Sequence, residues 1–546
     1  MSTTIRSNRM TQIGIPLLSW IGMPILSGLA AILLGQDANW DLRNYHFYNP
    51  YAFLNGRLAY DALAAQIASF YNPLLYVPFY YAVSWLPPKS TAFLLGFIQG
   101  LNFPLLLAIA RRFLDRVREQ DAPIIAFLVA VAGVSGAGNV SELGTMFSDN
   151  LLSLPVLLSL LLIVSREERL LNASWAERIS ILLAAGTLVG LAAGFKQPSA
   201  VYAVGLCLAF LTFDIPFAVR FVFAFVFGVG VLIGMAASSG FWLYEMWKRF
   251  HNPLFPYFNQ FFHSPMAQAG DYRDTRFLPR TIGEYLMKVF CFAIAPRKIS
   301  EVSFQDWRLP VLYMLGLAAS IRWLSNRGSA GQTSQPSFNP LKERHSMEPF
   351  LFSFLAVSYL AWLKLFAIFR YAMVIEMLAP LGIWLVIRKL DGSTGRRRIL
   401  SLVCIGMVLV TTQPADWGRV RWGADYFGAD LPQLADPDHT LVLMAGTDAI
   451  SYLIPLFPPK VRFLRIQSFF NLYAEKSGYD TWMAQRIQEH HGPMFVLYRA
   501  SGVQAAQDAL TSFGLRQDRK SCTRFMPRLE ENEDAPLLFC TVMKAS

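Results

Sequence analysis

The sequence predicts an α-helical polytopic membrane protein of about eleven transmembrane helices, ending in a small α/β domain outside the bilayer. Three observations lead there. Of 546 residues, 54% are hydrophobic and only 16% charged, too little charge to cover a soluble surface of that size. Many apolar runs approach or reach the roughly 20 residues that cross a hydrocarbon core. The net charge of +11 gathers in short loops between those runs, the mark of cytoplasmic loops rather than of a nucleic-acid surface. No nucleic-acid partner is expected.

The first apolar run, 13–34, follows Arg6 and Arg9. It is longer than a signal-peptide core of roughly 7–15 residues, so it reads as an uncleaved span with a cytoplasmic N-terminus. Residues 36–90 then stay outside. Within them "YNPLLYVPFYYAVSWLPP" (71–88) is apolar enough to pass for a second span. Crossing there would deliver "RRFLDRVRE" (111–119) to the outer face, against the basic-loop bias. Its prolines and tyrosines suit a helix lying flat in the interface, so the stretch reads as re-entrant or interfacial.

Spans follow near 91–110, 122–138, 150–164, 180–194, 199–213, 219–240, 309–324, 349–368, 372–388 and 399–412. With this threading the basic loops around Arg111/Arg112, Arg166/Arg169/Arg178, Arg220, Arg322/Arg327 and Arg396/Arg397/Arg398 all fall inside. The Gly/Ser/Gln-rich segment 325–348 reads as a cytoplasmic linker and 241–308 as a long extracytoplasmic loop. Residues 1–412 thus form a membrane module and 413–546 an extracytoplasmic domain.

In that tail, "HTLVLMAGTDA" and "GPMFVLYRA" have the pattern of short buried strands, while "YDTWMAQRIQEH" and "VQAAQDALTSF" have that of helices. Cys522 and Cys540 both lie there and can bridge if the tail is exported. Cys207 and Cys404 sit in apolar runs as packing residues, and Cys291 has no assignment.

The polar candidates gather on the outer side. Asp37 and Asp41 open the first outer loop, with Tyr45 and His46 just behind. Glu142 and Asp149 lie in the second, Lys196 ends the fifth span, and Arg370 and Tyr371 stand between the ninth and tenth, followed by Glu376. Ionisable groups at a membrane boundary are costly unless paired, wetted or used. Each also has a plain structural reading. Asp37 and Asp41 suit a helix cap or pairing with Arg43; "SDN" before an apolar run suits a helix N-cap at Asp149. Lys196 and Arg370 suit snorkelling, Glu376 an ion pair, and His46 an interfacial hydrogen bond. Together, carboxylates and cations on one face suit a reaction that removes a proton and releases a phosphate.

The segment "WDLRNYHFYNPYAFLNGR" after the first span, the flat "NPLLYVPFYYAVSWL" stretch and a span ending "ARRFL" resemble the GT-C superfamily of membrane glycosyltransferases, over roughly residues 13–200. "FRYAMVIEMLAPL" is similar to a late Arg-Tyr segment of some members. The resemblance implies a polyprenyl-phosphate-sugar donor, Asp41 as catalytic base, and Arg370 with Lys196 on the donor phosphate. Asp37, Tyr45, His46, Glu142, Asp149 and Tyr371 would be auxiliary or acceptor-side groups. It also implies a bacterial inner-membrane location, contact with membrane lipids, a periplasmic C-terminal domain, and a glycan, lipid or protein acceptor. No cofactor is fixed. Asp37 and Asp41 would share a face if helical, which leaves room for a divalent cation without requiring one.

Two other classes compete. An O-antigen polymerase or ligase would rely on outer-loop arginines instead of Asp41. A lipid-linked-glycan flippase would make no covalent bond; transporters tend to carry internal repeats and midplane polar sites, and no clear repeat is visible in this chain.

Overall fold

The computed structural model describes residues 18–116, 121–329, 347–391, 393–470 and 476–545. Most of the expected linker 325–348 and the start of the first span lie outside the described residues. Five described helices are long and apolar enough to cross a membrane: Pro88–Asp115, Trp175–Phe195, Phe217–Phe250, Glu348–Leu365 and Phe369–Leu390. Shorter apolar helices cover Ser19–Leu34, Ala122–Val134, Asp149–Ser165 and Gln197–Thr212. Arg308–Ser329 and Thr394–Thr411 are also helical. The chain is a multi-pass membrane protein with a small C-terminal sheet domain.

Small residues let these helices pack backbone to backbone. Trp175–Phe195 lies on Phe217–Phe250 along Gly186, Gly190 and Gly194 on one side and Gly230, Gly234 and Ser238 on the other. A Cβ on Gly186 would sit 2.1 Å from Phe227 O, and one on Gly234 2.2 Å from Thr187 O. In lipid, where burial of apolar surface drives little association, such close approach is what holds two helices together.

Two expectations are corrected. The span expected at 219–240 continues as helix to Phe250, so the loop after it begins ten residues later than 241. Trp242, Met246 and Phe250, four apart, form one buried stripe packed into the core shared with the C-terminal domain, and that burial carries the helix on. The stretch 71–88 is helical only over Val77–Trp85, after a single turn at Leu74–Tyr76. Nine residues span about 13 Å, too short to cross a bilayer.

Phe369–Leu390 is the most enclosed long helix, with every residue from Met373 to Ile387 buried. Its first turn is therefore held rigidly. Ala367 takes a left-handed φ of 50°, Trp362 Nε1 donates to Ile368 O at 2.7 Å, and Tyr202 Oη donates to Tyr371 O at 2.6 Å.

The C-terminal domain is a mixed six-stranded sheet. Strands β3 (Leu441–Met444), β4 (Arg462–Arg465) and β5 (Met494–Arg499) run parallel; β8 (Leu537–Lys544) runs antiparallel to β5, to β6 (Leu515–Gln517) and to β7 (Thr523–Phe525). The helices expected in the tail are Gly478–Gln488 and Val503–Ser512. Cys522 is disulfide-bonded to Cys540 on β8.

This domain is docked on the long loop that follows the first helix. Arg57 pairs with Asp61 at 2.7 Å and donates to Pro459 O and Val461 O, while Asp61 accepts from Phe463 N at 3.0 Å. The fully buried Arg465 donates to Ala64 O, Gly446 O and Asp448 O. Further along, β2 (Arg419–Val420) pairs antiparallel with β1 (Gln36–Asp37), tying the tail's first segment beside the start of that loop.

Candidate active site

Four distant segments meet at the head of the enclosed helix. Asp41 precedes a π-helical turn, Leu42–His46, whose residues are all buried. Arg370 lies in the turn Phe369–Ala372. Arg370 Nη1 donates to Asp41 Oδ2 at 3.0 Å, with side-chain exposures of 11% and 15%. Beside them Lys196 Nζ pairs with Asp149 Oδ2 at 2.6 Å and sits 5.0 Å from the Tyr371 ring centre. The two acid–base pairs are joined through Tyr371, which also lies 5.8 Å from the Arg370 guanidinium.

Aromatic rings wall the site. The Arg370 guanidinium lies 4.3 Å from the Phe147 ring centre and 5.1 Å from that of Trp417. Tyr45 Oη donates to Asp41 Oδ2 at a long 3.3 Å, and its ring meets His46, Tyr71 and Tyr76 edge-on. His46 stacks on Tyr76 at 4.5 Å. A narrow cleft opens beside Arg370, lined among others by Asp149, Ser153, Ser199, Tyr202 and Tyr371.

The electrostatics follow from these neighbours. Burial would push the Asp41 carboxyl up, but Arg370 beside it, with Lys196 behind, outweighs burial and holds it below its ordinary value. Burial pushes His46 down to about 3, so the imidazole is neutral at physiological pH. Glu142 is held well above the ordinary carboxyl range by burial and by the neighbouring Asp149. The pocket thus contains a carboxylate kept ionised by a facing guanidinium, a second acid paired with Lys196, and a carboxyl that resists ionising.

Several expected members stand elsewhere. Asp37 and Asp41 do not share a helix: Asp37 is in β1, and Asp41 begins the turn beyond it. Asp37 accepts from Asn39 N at 3.0 Å, Asn39 Nδ2 at 2.6 Å and Met146 N at 3.0 Å, so its oxygens hold the loop around Met146 against the loop after the first helix. Burial raises its carboxyl despite these bonds. Arg43 pairs with Glu533 and Glu530 of the C-terminal domain and not with either aspartate. Asp149 makes no side-chain cap; Ser148 holds the N-cap position and Asp149 faces Lys196. Glu142 Oε2 accepts from Asn150 N at 3.1 Å. Glu376 accepts from the backbone amides of Gly138 and Asn139 instead of a basic side chain. Among the described residues no group of three His, Cys, Asp or Glu side chains is placed to hold a metal ion.

Phe147, Tyr76 and Trp417 are members that sequence reading passed over. Phe147 sits two residues before Asp149 in a loop read only for its acids. Trp417 lies in "PADWGRVRW", a Pro/Gly-punctuated stretch with no periodic signal.

Fold and site together define a multi-pass membrane protein with a buried, aromatic-walled acid–base centre at the base of a docked α/β domain. No family model matches the chain, and no curated protein matches it significantly. Among solved structures it is similar to the crystal structure of ArnT from Cupriavidus metallidurans bound to undecaprenyl phosphate, at 12% identity and a TM-score of 0.41, over 96% of this chain and 98% of that one. That likeness is too loose to assign an activity.

Proposed function

We propose that this chain is a membrane glycosyltransferase of the bacterial inner membrane, transferring a sugar from a polyprenyl-phosphate donor to a hydroxyl of a glycan, lipid or protein at the periplasmic face. The observation that carries this reading is the Asp41–Arg370 pair, a carboxylate and a guanidinium at 3.0 Å inside an incompletely satisfied aromatic pocket. The basic inner loops and the Cys522–Cys540 bridge support an exported C-terminal domain.

A base held low by a guanidinium is a poor base, so the pair has to open. The donor phosphate offers Arg370 a better-matched anion, bidentate and doubly charged as it departs. With Arg370 turned to the phosphate, burial dominates at Asp41 and raises its proton affinity toward a useful value. The acceptor hydroxyl gives its proton to Asp41, and its oxygen forms a bond to the anomeric carbon. The bond from that carbon to the phosphate oxygen breaks on the opposite face, inverting the centre. The electron pair leaves with the polyprenyl phosphate, held by Arg370 and, from the neighbouring pair, Lys196. Tyr45 orients Asp41 through the Oη contact, and neutral His46 and Glu142, whose burial disfavours its charged form, are hydrogen-bonding groups for the acceptor or sugar.

The test is a reconstitution in nanodiscs with a panel of polyprenyl-phosphate sugars and envelope acceptors, read by mass spectrometry. A new glycosidic product with release of polyprenyl phosphate is expected. Movement of intact donor across the bilayer with no product contradicts transfer and favours the flippase reading. A product that persists at full rate in Asp41→Asn favours the arginine-dependent polymerase or ligase.

A further inference from the structure

Trp417 takes no part in the proton transfer or bond exchange, yet the fold holds it in a fixed place. It belongs to the strap that joins the last helix to the C-terminal domain, and that strap is pinned on both sides of it. Before it, Gln413 exchanges two backbone hydrogen bonds of 2.9 Å with Gln305, and Ala415 N donates to Ser141 Oγ at 2.7 Å. After it, Gly418 turns the chain at a φ of 99°, in the left-handed region that favours glycine, with its carbonyl accepting from Ala38 N at 3.1 Å. Arg419 then locks to Gly35 O, Ser141 O and Leu143 O. The indole is therefore presented by fixed backbone, against Phe147 at 5.4 Å and under the Arg370 guanidinium at 5.1 Å.

Two donors on this stack are unfinished. Trp417 Nε1 and Arg370 Nε are both buried and neither has a hydrogen-bond partner. Buried N–H groups without acceptors are costly and uncommon, and here two lie on contacting planar groups. The atoms waiting are donors, so the ligand presents oxygens with lone pairs; beside a guanidinium, an anionic oxygen fits best.

We propose that Trp417 is a donor-binding residue: its indole N–H and Arg370 Nε–H together take phosphoryl oxygens of the lipid-linked donor, and its ring holds the guanidinium flat for that contact. This rests on the glycosyltransferase reading above and adds that the pocket is incomplete without the strap from the C-terminal domain.

The experiment measures binding of undecaprenyl phosphate to the full chain in nanodiscs, for the parent, Trp417→Phe and Trp417→His. Phe keeps the ring and loses the N–H; His keeps a ring N–H. Trp417→Phe is expected to weaken binding about tenfold and to raise the donor KM alike, with kcat at saturating donor changed less than about threefold. Trp417→His is expected to recover part of the loss. Equal affinity of parent and Trp417→Phe overturns the assignment and leaves the function standing; a parent that neither binds the lipid phosphate nor transfers sugar overturns both. Should Trp417→Phe fail to fold, hydroxyl-radical footprinting of the parent serves. Protection of Trp417 by undecaprenyl phosphate supports the contact, and unchanged labelling refutes it.

Discussion

Two largely buried guanidinium–carboxylate pairs involve the loop after the first helix, and they are finished to different degrees. Arg57 and Asp61 share two hydrogen bonds of 2.8 and 2.7 Å. Arg57 also donates to two backbone carbonyls of the C-terminal domain, and Asp61 accepts from Tyr48 Oη and Phe463 N. Arg370 and Asp41 share a single contact of 3.0 Å, with Arg370 Nε unpartnered and Tyr45 at the edge of hydrogen-bonding range. A saturated pair bolted to backbone fixes a domain. An unsaturated one, among other polar atoms without partners, is a place where something else binds.

The comparison breaks most visibly at Asp41. Asp41→Asn keeps the shape and removes the base, and is expected to cost about 10²–10⁴ in transfer rate while the thermal midpoint moves little. Arg57→Ala is expected to do the reverse. Leaving Asp61 buried without its partner costs about 3–5 kcal/mol of stability, while the folded fraction turns over at the parental rate. If both substitutions abolish turnover per folded molecule, the division between working and structural pairs is wrong.

A third prediction concerns pH. His46 titrates near 3 in the folded protein against 6.5 when unfolded, so below pH 6.5 the unfolded state binds the extra proton and stability falls as pH drops. At pH 5 the loss is about 2 kcal/mol relative to pH 7. His46→Gln removes this contribution, and melting curves of both proteins at the two pH values measure it. The smallest effect is expected at Lys196: replacement by Ala raises the donor KM about tenfold, with a lesser fall in kcat, because Lys196 assists a phosphate already held by Arg370.

What was legible in the sequence follows the range of the physics. Apolar runs and basic loops are local signals, and they located the helices and the loops that carry the candidates. The loop aspartate and the late arginine were each conspicuous because a charge at a membrane boundary needs a reason, and they do meet. The remainder depends on contacts across hundreds of residues. Arg57 and Asp61 read as ordinary loop charges until residues 459–463 close over them. The helix beyond residue 240 looks too polar to continue unless the stripe of Trp242, Met246 and Phe250 has a partner, which the distant tail provides. Asp37 and Asp41 look equivalent four apart, but only backbone geometry reveals that one faces amide donors and the other a guanidinium.

The most direct test of the central claim is the affinity of Asp41→Asn for undecaprenyl phosphate. If the lipid phosphate and the Asp41 carboxylate compete for Arg370, neutralising Asp41 frees the guanidinium, and the inactive variant binds the lipid about tenfold more tightly than the parent. Weaker or unchanged binding by Asp41→Asn, measured beside a parent that binds the lipid and transfers sugar, would contradict an exchange of partners at Arg370.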